Sequence, residues 1–233
     1  MEEWSDRPAY NIIQIPQTHS MEDPNLLSEL TSRYKGFRLQ SLQLAPEAFA
    51  STYERESQFP VETWNNRLLN PQANTFVAKL TDRGVCDGWL ATITMLGPMS
   101  GQQGAISANT SPWTSLASEE HGQRAAERRD SIWNFHLNAL FTVPSARGNG
   151  LGYDLIWHAI AHAKANATEH KVAHVKIGVI VDSSNVAASA LYRKCGFAVI
   201  EESMLSIPSD PEAGVERSAR ELKVLTMEQE IQL

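Results

Sequence analysis

Between Ser131 and Val181 the hydrophobic period of the chain switches from two to nearly four and back to two. SIWNFHLNALFTV, from Ser131 to Val143, predicts the longest strand, and Pro144 and Ser145 end it. Three glycines follow at alternate positions, Gly148, Gly150 and Gly152. The next residues, YDLIWHAIAHAKANA, place Leu151, Leu155, Ile156 and Ile160 on one side of a predicted helix. Alternation then resumes over Val172 to Val181, with Val175, Ile177, Val179 and Val181 on one face. A helix from Val186 to Lys194 is predicted next, stopped by Gly196. Strands over Phe197 to Leu205 and Ala219 to Glu228 flank the turn-rich SDPEAGVERS.

The first half reads less regularly. Residues 1–35 are polar and weakly periodic, with Pro8, Pro16 and Pro24, and are read as an N-terminal extension. Phe37, Leu39, Leu42 and Leu44 alternate with polar residues and predict a first strand over Phe37 to Leu44. Pro46 is placed to start a helix carrying Phe49 and Tyr53 on one face. A second helix is predicted from Val61 to Leu69, ending near Asn70-Pro71. Strands over Thr75 to Leu80 and Gly88 to Leu96 are joined by the breaker-rich Thr81 to Gly84. From Gly97 to about Asp130 periodicity lapses, apart from Trp113 and Leu116, so an insertion or lid is expected over 97–130. The pattern is mixed α/β, with an antiparallel first half and a strand–helix–strand crossover in the second. Residues 36–230 are read as one domain.

Composition narrows the classes without choosing among them. Hydrophobic residues make up 42% and charged residues 20%, ordinary for a globular chain able to bury a core. A net charge of −7 argues against nucleic acid or an anionic membrane as partner, since both want clustered Lys and Arg. Two cysteines, Cys86 and Cys195, form neither a metal-ligand spacing nor a disulfide framework, which favours a reducing, cytoplasmic location. The acidic N-terminus does not read as a signal peptide, and no apolar run approaches the ~18 residues of a membrane span.

A strand, a glycine loop and a helix together suit a phosphate. The loop and helix N–H groups, with about half a positive charge from the helix dipole, face the anion. A nucleoside-triphosphate loop would need Gly-x-x-x-x-Gly-Lys-Ser/Thr, which is absent. A dinucleotide loop would need Gly-x-Gly-x-x-Gly early in the chain, whereas here the spacing is Gly-x-Gly-x-Gly after several strands. An acyl-CoA loop, Gln/Arg-x-x-Gly-x-Gly/Ala, is matched by Arg147, Gly150 and Gly152. On this stretch alone all remain open, beside a plain strand–helix turn.

A second motif, NVAASALYRKCGF from Asn185 to Phe197, follows VPSARGNGLG at the right distance. Together they make the chain resemble the GNAT superfamily of acyl-CoA-dependent N-acyltransferases. The similarity is strongest over Trp133 to Phe197 and weaker over Phe37 to Leu96. PEAFASTYERE, FPVETW and the Gly-Pro after the third strand look like fungal members. The resemblance implies a mostly antiparallel sheet, splayed at the central strand and flanked by helices on both faces. It implies acetyl-CoA as co-substrate and direct attack by a primary amine. The pantetheine arm would bond to backbone at Leu140, Phe141, Thr142 and Val143. The pyrophosphate would sit on Gly148, Asn149, Gly150, Leu151 and Gly152, with Arg147 nearby and Asn185 at the cofactor arm. Asn185 equally suits a helix cap, and Arg147 a solvated loop position.

An alkylamine has a pKa of about 10.4, so deprotonation at pH 7 costs about 4.6 kcal/mol before any bond forms. The resemblance assigns Tyr192 as the acid that protonates the leaving thiolate. For the base, the strand offers no carboxylate; His136 matches the first histidine of a His-x-His pair in some members, Asn138 departs at the second, and a lone strand histidine also suits a structural role. Glu119 and Glu120 are weaker candidates. His158 and His162 lie one helical turn apart but lack a third ligand, so no metal is expected. Cys195 is read as structural. The acceptor, a small-molecule or protein amine, and the oligomeric state, a dimer included, stay open. A module of this fold that binds acyl-CoA without turnover is the alternative reading.

Overall fold

The computed structural model describes residues 9–16, 22–100, 113, 132–207 and 220–233. In chain order these form β1 (Tyr10–Ile15), α1 (Pro24–Leu44), α2 (Tyr53–Ser57), α3 (Val61–Leu69), β2 (Ala73–Leu80) and β3 (Trp89–Ser100). There follow β4 (Ile132–Thr142), α4 (Leu151–Glu169), β5 (His174–Asp182), α5 (Val186–Lys194), β6 (Ala198–Ile207) and β7 (Arg220–Gln232). The seven strands make one sheet in the order β1-β2-β3-β4-β5-β7-β6. Every neighbouring pair is antiparallel except β4 and β5, which α4 joins as a crossover.

The first expected strand is not one. Phe37 to Leu44 is the end of α1, whose buried positions Leu30, Tyr34, Phe37, Ser41 and Leu42 keep a helical period that an eight-residue window hides. Asp23 starts this helix by accepting from the N–H groups of Asn25 and Leu26, and Pro24 occupies its first turn. The strand that opens the sheet lies in the supposed extension: β1 pairs with β2 from Tyr10↔Leu80 to Ile15↔Thr75. The helix expected after Pro46 is a 3-10 turn followed by the short α2. β3 continues to Ser100, and the remainder of the expected insertion, Trp113 apart, lies outside the described residues.

Two cores cover the two faces. Leu155, Ile156, Ala159 and Ile160 of α4 pack on Phe76, Ile93, Phe135, Leu137 and Ile177, and α5 adds Tyr192 on the same side. On the other face Tyr34 and Phe37 of α1 and Trp64 and Leu68 of α3 pack against Val77, Trp89 and Phe141. The all-odd burial of Val175, Ile177, Val179 and Val181 in β5 agrees with the alternation in the sequence.

β4 is broken at one residue. Thr92 pairs with Phe141 but Thr94 with Asn138, so Ile93 alone faces Ala139 and Leu140. Ala139 takes up the extra residue at φ +55°, a left-handed conformation that costs a side-chain-bearing residue about 1–2 kcal/mol. The bulge inverts the side-chain parity. His136 and Asn138 point to the α1–α3 face before it, and after it Phe141 does, edge-on to Phe37 at 5.7 Å.

Candidate active site

The β4–β5 ladder stops at Leu137↔Val179, although β4 runs on to Thr142 and β5 to Asp182. Beyond that point the bulge turns β4 away from its neighbour, and a cavity of about 300 Å³ fills the wedge. Leu137 to Leu140 form one wall and Val179 to Val181 the other. The cavity passes through the sheet. Asn185, Ala188 and Tyr192 line it from the α4–α5 face, and Arg38, Phe49, Glu56 and Arg67 from the α1–α3 face.

His136, Leu140, Asn185 and Tyr192 are thus brought to one cavity. Phe141, Thr142, Val143, Arg147, Gly148, Asn149, Gly150, Leu151 and Gly152 do not line it; they carry the chain from the end of β4 into α4. Gly148 and Gly150 have φ of +81° and +85°, which is why glycine suits both positions. Gly150 is the N-cap of α4 and brings no side chain to satisfy its first N–H groups, leaving the helix start available to an anion. Gly152 has a packing reason instead: a Cβ there would come to 3.0 Å from Leu191 Cδ2 of α5, which would have to give by a few tenths of an ångström. Arg147 donates from Nε to the Thr142 carbonyl, and Asn149 from Nδ2 to the Ala146 and Arg147 carbonyls, so both side chains brace the loop. Asn185 caps α5 by accepting from the N–H of Ala188.

Tyr192 is 5% exposed and packs edge-on to Phe197 at 5.6 Å. Burial, and to a smaller degree Cys195, raises its pKa far above the ordinary phenol value, so it stays a donor at neutral pH. His136 is equally buried, and loss of solvent lowers its pKa to about 4, leaving it neutral. Burial pushes the Cys195 thiol up to about 11, in line with a structural role. His158, exposed, and His162, half-buried, stand edge-on to Phe76 at 5.1 and 5.3 Å. Among the described residues no cluster could hold a metal. Glu119 and Glu120 lie outside the described residues.

The α1–α3 wall of the cavity carries a cluster that sequence reasoning missed. Glu56, 2% exposed, takes a two-pronged contact from Arg38 (Nη2 to Oε1, 2.7 Å; Nε to Oε2, 3.2 Å) and a third bond from Arg67 at 3.0 Å. Burial alone would raise the pKa of Glu56, but the Arg38 hydrogen bond and the charges of Arg38 and Arg67 outweigh it and hold the carboxyl at about 2. The guanidinium of Arg38 lies 4.6 Å over Phe49, and that of Arg67 lies 5.1 Å over both Phe59 and Trp113. The pairing spans α1, α2 and α3, so no short motif encodes it. The only available hint was the recurrence of Arg and Glu among aromatics in PEAFASTYERE and FPVETWNNR.

Residues 42–197, about two thirds of the chain, match the family model described as acetyltransferase (GNAT) family. Solved structures share the fold, three of them as follows. Arabidopsis thaliana NAA60, in complex with acetyl-CoA, is 12% identical at a TM-score of 0.54, over 96% of this chain and 99% of that one. The ribosomal-protein-alanine N-acetyltransferase of Brucella melitensis is 18% identical at 0.51, over 86% and 96%. A GCN5-related N-acetyltransferase from Kribbella flavida is 17% identical at 0.50, over 96% and 98%. No curated protein matches the chain significantly in sequence.

Proposed function

The chain belongs to the acetyltransferase (GNAT) family, and on that premise we propose that it moves acetyl from acetyl-CoA to a primary amine in the cavity between β4 and β5. The observation carrying this reading is the position of that cavity. It joins the face of the helix-start anion site to the opposite face, with His136 and Tyr192 both on its walls. Bound acetyl-CoA supplies the thioester that the amine attacks, with CoA as leaving group.

The chain's own residues then divide the work. Gly148, Asn149, Gly150, Leu151 and Gly152 offer backbone N–H groups to the pyrophosphate, with the charge of Arg147 beside them. The Leu140 to Val143 backbone, freed from β5 by the bulge, holds the pantetheine arm, and Asn185 meets it from the α5 start. Tyr192 donates its phenol hydrogen to the departing sulfur. His136 accepts a hydrogen bond from the incoming amine. As a neutral, weakly basic imidazole it takes the proton only in passing, before water carries it off.

The fungal-like segments supply α2 and the start of α3, and hence part of the acceptor wall. The reading is of one acyltransferase domain that includes β1, in the cytoplasm. Two free cysteines support that location, and among the described residues no helix is long and apolar enough to cross a membrane.

The test is release of free CoA from acetyl-CoA across a library of amines, with Tyr192→Phe as the paired variant. Amine-dependent release is expected, with kcat reduced at least tenfold in the variant and acetyl-CoA affinity retained. Acetyl-CoA binding without release by any amine would leave the non-catalytic module instead.

A further inference from the structure

The acceptor end of the cavity is electropositive, against the −7 charge of the whole chain. Among the described lining residues, Arg38, Arg55 and Arg67 stand against the single carboxylate of Glu56, a net charge of +2, with His136 neutral. Glu56 is not free to meet a cationic substrate, because its two oxygens are taken by Arg38 and Arg67 and its burial is nearly complete. Arg38 and Arg67 are 15% and 14% exposed, so their charge is felt in the cavity even though their hydrogen bonds face the carboxylate. Arg55 differs from both. It sits on α2 beside Glu56, is exposed, and rests its guanidinium 6.0 Å over Phe59. Among the described residues it has no carboxylate within salt-bridge distance.

From this arrangement we infer that the acceptor is an amine carrying an anionic group, a carboxylate in the first instance, which pairs with Arg55 at the cavity mouth. The inference rests on the acyltransferase reading and names its substrate class. A planar guanidinium offers two parallel N–H groups to a carboxylate, and that of Arg55 lies 6.0 Å over Phe59 at the cavity wall. The Arg38–Glu56–Arg67 group supplies a fixed positive background and repels polycationic amines. Phe49, Phe59 and Trp113 give the apolar walls along which a short spacer between amine and carboxylate lies. The same chemistry is offered by a small amino acid or by the N-terminus of an acidic peptide.

The experiment measures kcat/KM with saturating acetyl-CoA. One arm uses glycine, β-alanine, 4-aminobutyrate and 6-aminohexanoate, each beside its carboxamide. A second arm uses pentapeptides with Asp or Glu at the second and third positions beside their Asn or Gln counterparts. Spermidine is the polycationic control. In at least one arm the acid is expected to exceed its uncharged partner at least fivefold, with the difference in KM, and the arm that does so identifies the source. Arg55→Gln is expected to bring that ratio below twofold, and Arg55→Glu to invert it. Turnover that favours carboxamides, neutral peptides or spermidine would overturn the acceptor class and leave acetyl transfer standing. A preference for acids that survives Arg55→Gln would overturn the role of Arg55. Acetyl-CoA binding with no turnover of any amine would overturn both readings.

Discussion

Removing water from around Tyr192 raises its pKa, and removing it from around His136 lowers that pKa to about 4, because burial penalises whichever form is charged. For His136 the consequence is expected in stability. Its folded pKa lies below the ordinary 6.5, so as pH falls from about 6.5 the unfolded chain takes a proton that the folded chain refuses until about 4. Stability is expected to drop by about 3 kcal/mol across that window, and His136→Gln to flatten the drop in urea midpoints measured from pH 7 to 4. Glu56 acts in a lower window. Its folded pKa of about 2 lies below 4.5, so its contribution is complete above pH 4.5 and is lost as pH falls towards 2. Glu56→Gln is expected to destabilise by about 3 kcal/mol at pH 7, since Arg38 and Arg67 would keep their buried charge without its counterpart. Chemical denaturation at pH 7 and pH 3 reads this directly, with the smaller difference at pH 3.

At the level of elements, the bulge in β4 decides whether there is a site. Ala139→Val would force a β-branched residue to φ +55°, and is expected to cost about 2 kcal/mol and weaken acetyl-CoA binding at least tenfold, read by thermal melts and calorimetric titration. Gly150→Ala strains the left-handed N-cap of α4, and is expected to weaken CoA binding while leaving the acceptor-side clamp, and hence acid stability, unchanged. How readable each element was follows from local punctuation. α3 and α5 have their expected limits, because Pro60 and Asn70-Pro71 bracket one and Asn185 and Gly196 the other. α1 was misread because FRLQSLQL satisfies both periods and only Leu30 and Tyr34 upstream decide for helix. β1 was missed because six residues at a sheet edge, followed by Pro16, carry too little alternation to separate them from a polar tail. The bulge itself was not legible in residues, since alanine does not advertise a positive φ.

Across the whole molecule, the two motifs near Gly148 and Asn185 were legible because each folds locally, as a strand–helix turn and a capped helix. The acceptor wall was not, because Arg38, Glu56 and Arg67 meet only when three separate helices pack on one face. In the proposed function the two substrates come from two faces, and the splay between β4 and β5 is where they would meet. Direct transfer there leaves no acetyl group on the protein at any stage. The measurement that bears on this most directly is a single turnover in which excess protein, preloaded with acetyl-labelled CoA, is mixed with an amine accepted in steady state. Label is expected to pass to the amine at a rate that rises with amine concentration, with none on the protein by intact mass at any time. Label trapped covalently on the protein, or passing to the amine at a rate independent of amine concentration, would overturn direct transfer.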